Sequence, residues 1–148
     1  MLSDAGLPCI ADPGADLVRL ARKKNIMIEA IVGPSSLMMA LMLSGFSGQQ
    51  FSFNGYLPRE KELRKQAISR FEQKSKKERS SELFIEAPYR NQELLKDLVE
   101  TLQPTSELSI SCDLTSPTQE VYTKSIKEWR AAPLPEINKR PTVFVISA

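Results

Sequence analysis

Histidine is absent from the 148 residues of the chain, and this absence excludes more chemistry than any other feature of the composition. Without histidine there is no Ser-His-Asp or Cys-His nucleophile and no histidine-containing zinc site. The two cysteines, Cys9 and Cys112, are too few for a disulfide framework and too far apart for a Cys-x-x-Cys metal site. We therefore expect neither a zinc enzyme nor a histidine-dependent hydrolase, no bound metal, and a reducing, cytoplasmic setting.

Long apolar runs and phosphate-binding loops are also missing. The longest apolar run, from Leu37 to Leu43, is far shorter than the ~20 residues that span a bilayer. The first four residues lack the basic start and apolar core of a signal peptide, and no Gly-x-Gly-x-x-Gly or Walker loop is present. With 41% apolar and 26% charged residues, the composition is typical of one ordinary globular domain or two small ones that neither span a membrane nor are secreted.

Helical and strand-like segments alternate along the chain, which predicts an α/β protein. The predicted helices lie at 15–24, 37–43, 58–76 and from 88 to 102, and the predicted strands at 26–31, 51–56, 83–86, 108–114, 120–126 and 142–146. Because the run from Leu108 to Ile126 is nearly continuous, we expect part of the sheet to be antiparallel and the sheet to be mixed. A polar stretch at 45–50 divides residues 1–48, the C-terminal part of an N-terminal α/β domain, from residues 49–148, a complete C-terminal α/β domain.

Basic residues are concentrated in one predicted helix. Residues 59–79 contain nine basic and four acidic side chains, a net charge of +5, whereas the whole chain carries only +2. Such a stretch can contact RNA phosphates, but a solvated helix face has the same composition. Trp129 and Tyr122 are more typical of core residues than of base-stacking platforms.

Two loops with glycine follow strand-like residues, at 3–6 and 32–36, where open α/β sheets bind ligands. Taken alone, they are also typical of ordinary turns and a helix cap. Their surroundings, however, resemble successive blocks of the S-adenosylmethionine-dependent tetrapyrrole methylase superfamily, and most of all the 16S ribosomal RNA cytidine 2′-O-methyltransferase family. The resemblance covers nearly the whole chain and rests on SDAGLPCIADPG at 3–14, VGPSS at 32–36, FNGYLP at 53–58, FIEAPYR at 84–90, DLT at 113–115 and a last strand from Pro141.

The resemblance implies a cofactor, S-adenosylmethionine, held between two α/β domains of a cytoplasmic homodimer, and a ribosomal RNA substrate. It implies that Tyr89 and Arg90 lie near the methionine end of the cofactor or the mouth of the substrate site, and that Pro141 and Thr142 approach the adenine. The full set of implied cofactor-binding residues is Asp4, Ala5, Gly6, Gly33, Pro34, Ser35, Ser36, Tyr89, Arg90, Pro141 and Thr142.

The sequence also departs from the family. Leu7 replaces a usual threonine, Ala87-Pro88-Tyr89-Arg90 replaces a usual Ser-Pro-His-Arg block, and Arg140-Pro141 replaces a Gly-Glu pair. The opening strand with its Thr-Pro-Ile-Gly-Asn block has no counterpart, so we expect this chain alone to bind the cofactor weakly and to be an inactive or weakly active fragment.

A protonated ribose hydroxyl is a poor nucleophile, so a general base is expected to assist methyl transfer. The candidate catalytic residues are Asp113, Glu86 and Glu120, although each is also typical of a surface or strand-end charge. Two other functions remain open: a methyltransferase acting on a corrin or porphyrin, and a non-catalytic binding or interaction domain.

Overall fold

A computed structural model describes residues 6–148 of the chain. These residues form five α-helices, a short 3₁₀ helix at Pro88–Arg90 and five strands. The helices are α1 (Ala15–Lys23), α2 (Ser36–Ser44), α3 (Lys61–Glu78), α4 (Asn91–Thr101) and α5 (Ile126–Ala131), and the strands are β1 (Phe51–Tyr56), β2 (Ser81–Ile85), β3 (Glu107–Cys112), β4 (Glu120–Ser125) and β5 (Thr142–Ser147). The chain forms two compact units, which divide between Ser36 and Leu37.

The five strands form one sheet in the order β1-β2-β5-β3-β4. Strands β1 and β2 are parallel, whereas β5 is antiparallel to both of its neighbours and β4 is antiparallel to β3. The prediction of a mixed α/β sheet is therefore confirmed. Since β5 lies between β2 and β3, the end of the sheet where β2 and β3 finish is also the end where β4 and β5 begin.

Each face of the sheet is covered by helices. On one face, Phe84 and Phe144 stack with ring centroids 5.6 Å apart and belong to a buried cluster that includes residues of α3, α4 and α5. On the other face, Leu37, Ala40 and Leu41 of α2 pack with Leu83, Val143 and Val145. Strand residues alternate between the two clusters because successive side chains point to opposite faces.

Helix α2 buries only one side. Ala40 is fully buried, whereas Met42 and Leu43 are 78% and 47% exposed. The structure thus buries half of the apolar run between Leu37 and Leu43, and α2 belongs to the larger unit. The domain boundary predicted between residues 48 and 49 stays a prediction.

The N-terminal unit differs from the sequence prediction at one element. Residues 26–30 form no strand, although their apolar pattern predicts one. A strand needs a neighbouring backbone to satisfy its N–H and C=O groups, and none of the described residues pairs with this segment. Ile26 and Met27 are accordingly 58% and 93% exposed, and the predicted strand at 26–31 is wrong for this structure.

Helix α3 begins three residues after the predicted start at Pro58. Glu60 is extended, with φ −68° and ψ 130°, so the helix begins at Lys61. It ends at Glu78, since Arg79 adopts a left-handed conformation with φ 52°. Within residues 6–148, none of the helices has the length and apolar character needed to cross a membrane.

Candidate functional site

Seven of the predicted site residues meet at one end of the sheet, which we call the site edge. Glu86 follows β2 and Asp113 follows β3, while Glu120 is the first residue of β4. In the sheet register, Cys112 is opposite Glu120 on one side and Thr142 on the other. Ligands of open α/β sheets bind at the ends of strands where neighbouring connections diverge. The full set at the site edge is Glu86, Tyr89, Arg90, Asp113, Glu120, Pro141 and Thr142.

Arg140 holds two of the candidate bases together. Its Nε donates to Asp113 Oδ2 at 2.8 Å, and its Nη1 forms an ion pair with Glu120 Oε2. Nη2 donates to the carbonyl oxygen of Thr118 at 2.7 Å, and the Thr118 hydroxyl donates to Asp113 Oδ2 at 3.0 Å. The guanidinium therefore fixes the loop between β3 and β4 against the segment that leads into β5.

This loop borders an open hollow of about 560 Å³. Its lining is entirely polar apart from one proline, and it contains both carboxylates that pair with Arg140. The lining residues are Asp113, Pro117, Thr118, Gln119, Glu120 and Arg140. The hollow suits a polar ligand better than an apolar ring system.

Glu86 forms a second ion pair at the site edge. Its side chain is buried, accepts a hydrogen bond of 2.6 Å from the backbone N–H of Ala87 and pairs with Arg90. Arg90 is part-buried, and its Nε has no hydrogen-bond partner among the described residues. Tyr89, in contrast, is 63% exposed, so it is available for contact with a ligand.

Asn91 joins the two halves of the site edge. It is fully buried at the start of α4, and its Nδ2 donates to the carbonyl oxygen of Arg140 at 2.6 Å. The backbone N–H of Lys139 donates in turn to the carbonyl oxygen of Pro88 at 2.9 Å. Asn91 Oδ1 has no partner among residues 6–148, which leaves a buried acceptor beside Arg90.

The ion pairs determine the protonation of these groups. Hydrogen bonding from Arg140 lowers the pKa of Glu120, and the same bond to Glu120 is the main reason that the pKa of Arg140 is raised. Burial raises the pKa of the Cys112 thiol, whose Sγ lies 3.2 Å from Thr142 Oγ1. Glu120 is therefore ionised at neutral pH, and its lowered pKa makes it a weak proton acceptor.

The remaining predicted cofactor residues belong to the N-terminal unit or border it. Gly6 has a positive φ of 72° and no heavy atom within 4 Å of an added Cβ, and Gly33 has only Leu7 Cδ2 at 3.5 Å. Pro34 is exposed, and Ser35 and Ser36 are half-buried before and at the start of α2. Asp4 and Ala5 lie outside the described residues.

Sequence patterns did not identify two residues of the site edge, Asn91 and Arg140. Arg140 forms ion pairs with Asp113 and Glu120, and Asn91 donates to the carbonyl oxygen of Arg140. Arg140 was noted only as a departure from the family, since nothing near it in sequence reveals its partners 20 and 27 residues away. The usable signal was an arginine directly before a strand, together with acids that end or begin two other strands. Trp129 lies in the core as predicted: it is 1% exposed and its Nε1 donates to the Leu108 carbonyl oxygen at 3.0 Å. Tyr122 is partly buried and packs against this core.

The structure defines an α/β protein with a mixed sheet and a cluster of polar side chains at one end of that sheet. A family model described as Tetrapyrrole (Corrin/Porphyrin) Methylases matches residues 1–129, and the chain belongs to this family. The matched residues include Glu86, Arg90, Asp113 and Glu120 and end before Arg140.

Several curated bacterial proteins are similar to the chain. Ribosomal RNA small subunit methyltransferase I of Thermotoga maritima is 36% identical over 128 residues, which cover 86% of this chain and 55% of that protein. The protein of the same name from Halalkalibacterium halodurans is 34% identical over 128 residues, which cover 86% of this chain and 43% of that protein. The chain thus spans about half the length of the curated relatives that it matches.

Solved structures share the fold at low sequence identity. The methyltransferase CobJ has a TM-score of 0.63 and 14% identity, and the match covers 96% of this chain and 61% of that chain. Uroporphyrin-III C-methyl transferase from Thermus thermophilus, complexed with S-adenyl homocysteine, has a TM-score of 0.50 and 12% identity, with 96% and 62% covered. At these identities the similarity concerns the fold alone.

Proposed function

We propose that the chain is part of an S-adenosylmethionine-dependent methyltransferase that methylates the 2′-oxygen of a ribose in the RNA of the small ribosomal subunit. The observation that carries the proposal is the 31–36% identity to bacterial proteins named ribosomal RNA small subunit methyltransferase I. The polar residues that line the hollow support it, because a ribose presents hydroxyls rather than an apolar ring system.

The residues at the site edge fit a polar cofactor. Arg90 Nε is a buried donor and Asn91 Oδ1 a buried acceptor, and neither has a partner among the described residues. Such atoms usually bind something, since an unsatisfied buried polar group is costly. In the proposal, the residues that hold the cofactor from the C-terminal unit are Tyr89, Arg90, Pro141 and Thr142. From the N-terminal unit, the proposed contacts are Asp4, Ala5, Gly6, Gly33, Pro34, Ser35 and Ser36.

The cofactor, when bound, supplies a methyl group on a sulfonium for in-line transfer to an oxygen nucleophile. The chain has to orient the ribose hydroxyl and accept its proton as the new C–O bond forms. Asp113, Glu86 and Glu120 are the candidates for that proton, and each is paired with an arginine. Because Arg140 lowers the pKa of Glu120 and so weakens it as a base, positioning of the two reactants carries most of the rate in this proposal.

Ribose methylation can be tested in the organism that encodes the chain. A 2′-O-methyl group removes the hydroxyl that attacks the adjacent phosphate, so the methylated linkage survives alkaline hydrolysis. Deletion of the gene is expected to make one linkage of the small-subunit RNA alkali-labile, and complementation is expected to restore its resistance. Complementation with Tyr89→Ala is expected to restore less methylation than a matched control, Gln103→Ala, whose exposed side chain lies far from the site edge.

Two other outcomes would replace the proposal. If deletion leaves the ribosomal RNA unchanged but alters the methylation of corrins or porphyrins, the tetrapyrrole alternative is correct. If neither changes, the chain is a binding or interaction domain.

We also propose that the protein is cytoplasmic, where ribosomal subunits are assembled, and that it is a homodimer. The exposed side of α2 supports a dimer, because Met38, Met42 and Leu43 present an apolar surface of the kind that association covers. Sedimentation equilibrium of the purified protein gives the oligomeric state, and a monomer at micromolar concentration would contradict the proposal.

A further inference from the structure

The nine basic residues between 59 and 79 do not form one surface. Four of them are neutralised by acidic side chains of neighbouring elements. Arg64 is buried against Asp97, with Nη2 at 2.6 Å from Oδ2. The other three are Lys61, Lys65 and Lys74, which pair with Asp97, Glu100 and Glu82 at 3.8, 3.0 and 3.0 Å.

The other five basic residues are exposed and have no acidic partner within 4.0 Å among residues 6–148. Arg59 precedes α3, and the remaining four define a basic patch. The basic patch consists of Arg70, Lys76, Lys77 and Arg79. The exposed acid in the same part of the chain is Glu78, so the patch has a net positive charge.

The basic patch includes part of a stripe of hydrogen-bond donors along α3. Gln66, Arg70, Gln73 and Lys77 are all exposed and follow one another at intervals of four, three and four residues. Residues at this spacing share one face of an α-helix. The stripe thus alternates neutral amides with cations and contains no acid, a pattern suited to a row of phosphates and riboses.

The basic patch lies at the end of the sheet opposite the site edge. Lys74, within the same part of α3, donates to Ser52 Oγ at 2.6 Å near the start of β1 and pairs with Glu82 near the start of β2. Strand β2 runs from there toward Glu86 at the site edge. With five residues, β2 is about 17 Å long, and the 18 residues of α3 extend about 27 Å.

We propose that the basic patch binds the phosphate backbone of the RNA substrate at a distance from the nucleotide that is methylated. This inference rests on the proposed function, since it takes RNA to be the substrate. A ligand that reaches both the site edge and the basic patch must be longer than β2. A nucleic acid strand is long enough to do so, whereas a single tetrapyrrole at the site edge is too short. The patch sets affinity and orientation, and the site edge sets which ribose reacts.

Stabilisation of the α3 dipole is the competing explanation for Lys76 and Lys77, because cations in the last turn of a helix are favourable in any protein. It does not extend to Arg70, which lies two turns earlier. A dipole role changes thermal stability, whereas phosphate contact changes RNA affinity and its dependence on salt.

The experiment compares two double variants of the full chain. Lys76→Gln/Lys77→Gln removes two charges from the basic patch, and Lys61→Gln/Lys65→Gln removes two paired charges from the same helix. Binding of a fluorescein-labelled hairpin from small-subunit ribosomal RNA is followed by anisotropy from low to moderate salt. Each lost phosphate contact is expected to reduce the slope of log affinity against log salt by about 1, so the patch variant loses about 2 and the control keeps the wild-type slope.

The outcomes separate this inference from the proposed function. Equal slopes for wild type and patch variant, or equal losses in both variants, would overturn the basic patch as an RNA surface. If the patch variant binds RNA more weakly only because its melting temperature is lower, and its salt slope is unchanged, Lys76 and Lys77 stabilise the helix dipole. That result would also overturn the basic patch as an RNA surface. Titration with S-adenosylmethionine is expected to give the same weak binding for all three proteins. The methyltransferase proposal is tested separately by the alkaline hydrolysis of ribosomal RNA, and its failure there would leave the salt slopes unaffected.

Discussion

Replacing Asp97 by leucine is expected to destabilise the larger unit by about 3–5 kcal/mol, because it leaves a buried guanidinium without its main counter-ion. Arg64 and Asp97 are each 2% exposed, and Arg64 Nε donates to Asp97 Oδ2 at 2.7 Å. The second acid at Arg64 is Glu93, whose side chain is 58% exposed and is therefore partly screened by solvent. Asp97 supplies most of the compensation for the buried charge.

Arg64 cannot escape this cost by losing its proton. Burial lowers the pKa of Arg64, but its hydrogen bonds to Asp97 and Glu93 outweigh burial and raise that pKa above its ordinary value. Even without Asp97, a guanidinium stays charged at neutral pH. The variant must therefore either keep a charge in the core or open the contact between α3 and α4.

A double variant, Arg64→Met/Asp97→Leu, provides the control. Replacing a whole buried ion pair by apolar residues of similar volume is often neutral or stabilising, so the double variant is expected to recover most of the loss. For a unit of about 110 residues, 1 kcal/mol corresponds to about 4 °C in melting temperature. The single variant should thus melt about 12–20 °C lower, as measured by circular dichroism. A single variant within 3 °C of wild type, or a double variant as unstable as the single one, would refute the reasoning.

Three further results are expected. Arg140→Met should lower the urea midpoint most at neutral pH, and the difference from wild type should disappear in acid. Arg140 lowers the pKa of Glu120, so the stability that this ion pair adds is present above the ordinary carboxyl pKa and is lost as the pH falls through the lowered pKa of Glu120. A difference in midpoint that grows in acid would contradict this account. Met42→Lys should change the free energy of unfolding of the monomer by less than about 0.5 kcal/mol because the side chain is 78% exposed in the single chain, whereas Ala40→Lys, at a fully buried position of the same helix, should prevent folding; similar effects on the monomer at both positions would show that α2 does not pack as described. Cys112 should resist alkylation until the protein unfolds, since it is fully buried and burial raises its thiol pKa. Labelling of Cys112 itself in the native protein, identified by mass spectrometry, would contradict its burial.

The sequence pattern predicted most elements after residue 50 because their periodicity reflects burial on a covered face. The strand at 51–56 has the predicted bounds, and α4 carries the predicted stripe that includes Leu94, Leu95 and Leu98, all buried. The antiparallel pairing of β3 with β4 was predictable from the short connection between them. Residues 26–31 show the limit of this reasoning, because an apolar run does not reveal whether a neighbouring strand is present to pair with it.

The basic stretch shows a second limit. A count of charges between 59 and 79 gives +5, but it cannot tell which cations face acids on other elements. The partners of Lys65 and Arg64 lie on α4, 29 to 35 residues further along the chain. The sequence count spreads the positive charge over the whole helix, whereas the structure shows that the unpaired cations lie in its C-terminal half. A polyanion is therefore expected to bind at that half.

The site edge depends on strand order, which local sequence does not contain. Strands β2, β3 and β5 follow one another in sequence as second, third and last, yet β5 lies between the other two and runs antiparallel to both. Its first residues therefore meet the last residues of β2 and β3, which brings Arg140 to 2.8 Å from Asp113 and its carbonyl oxygen to 2.6 Å from Asn91. The family resemblance rests on sequence motifs and does not depend on these contacts. It implies cofactor-binding residues in two segments about 50 residues apart, namely Tyr89 and Arg90 in one and Pro141 and Thr142 in the other. The sheet order places both segments at the same edge of the sheet.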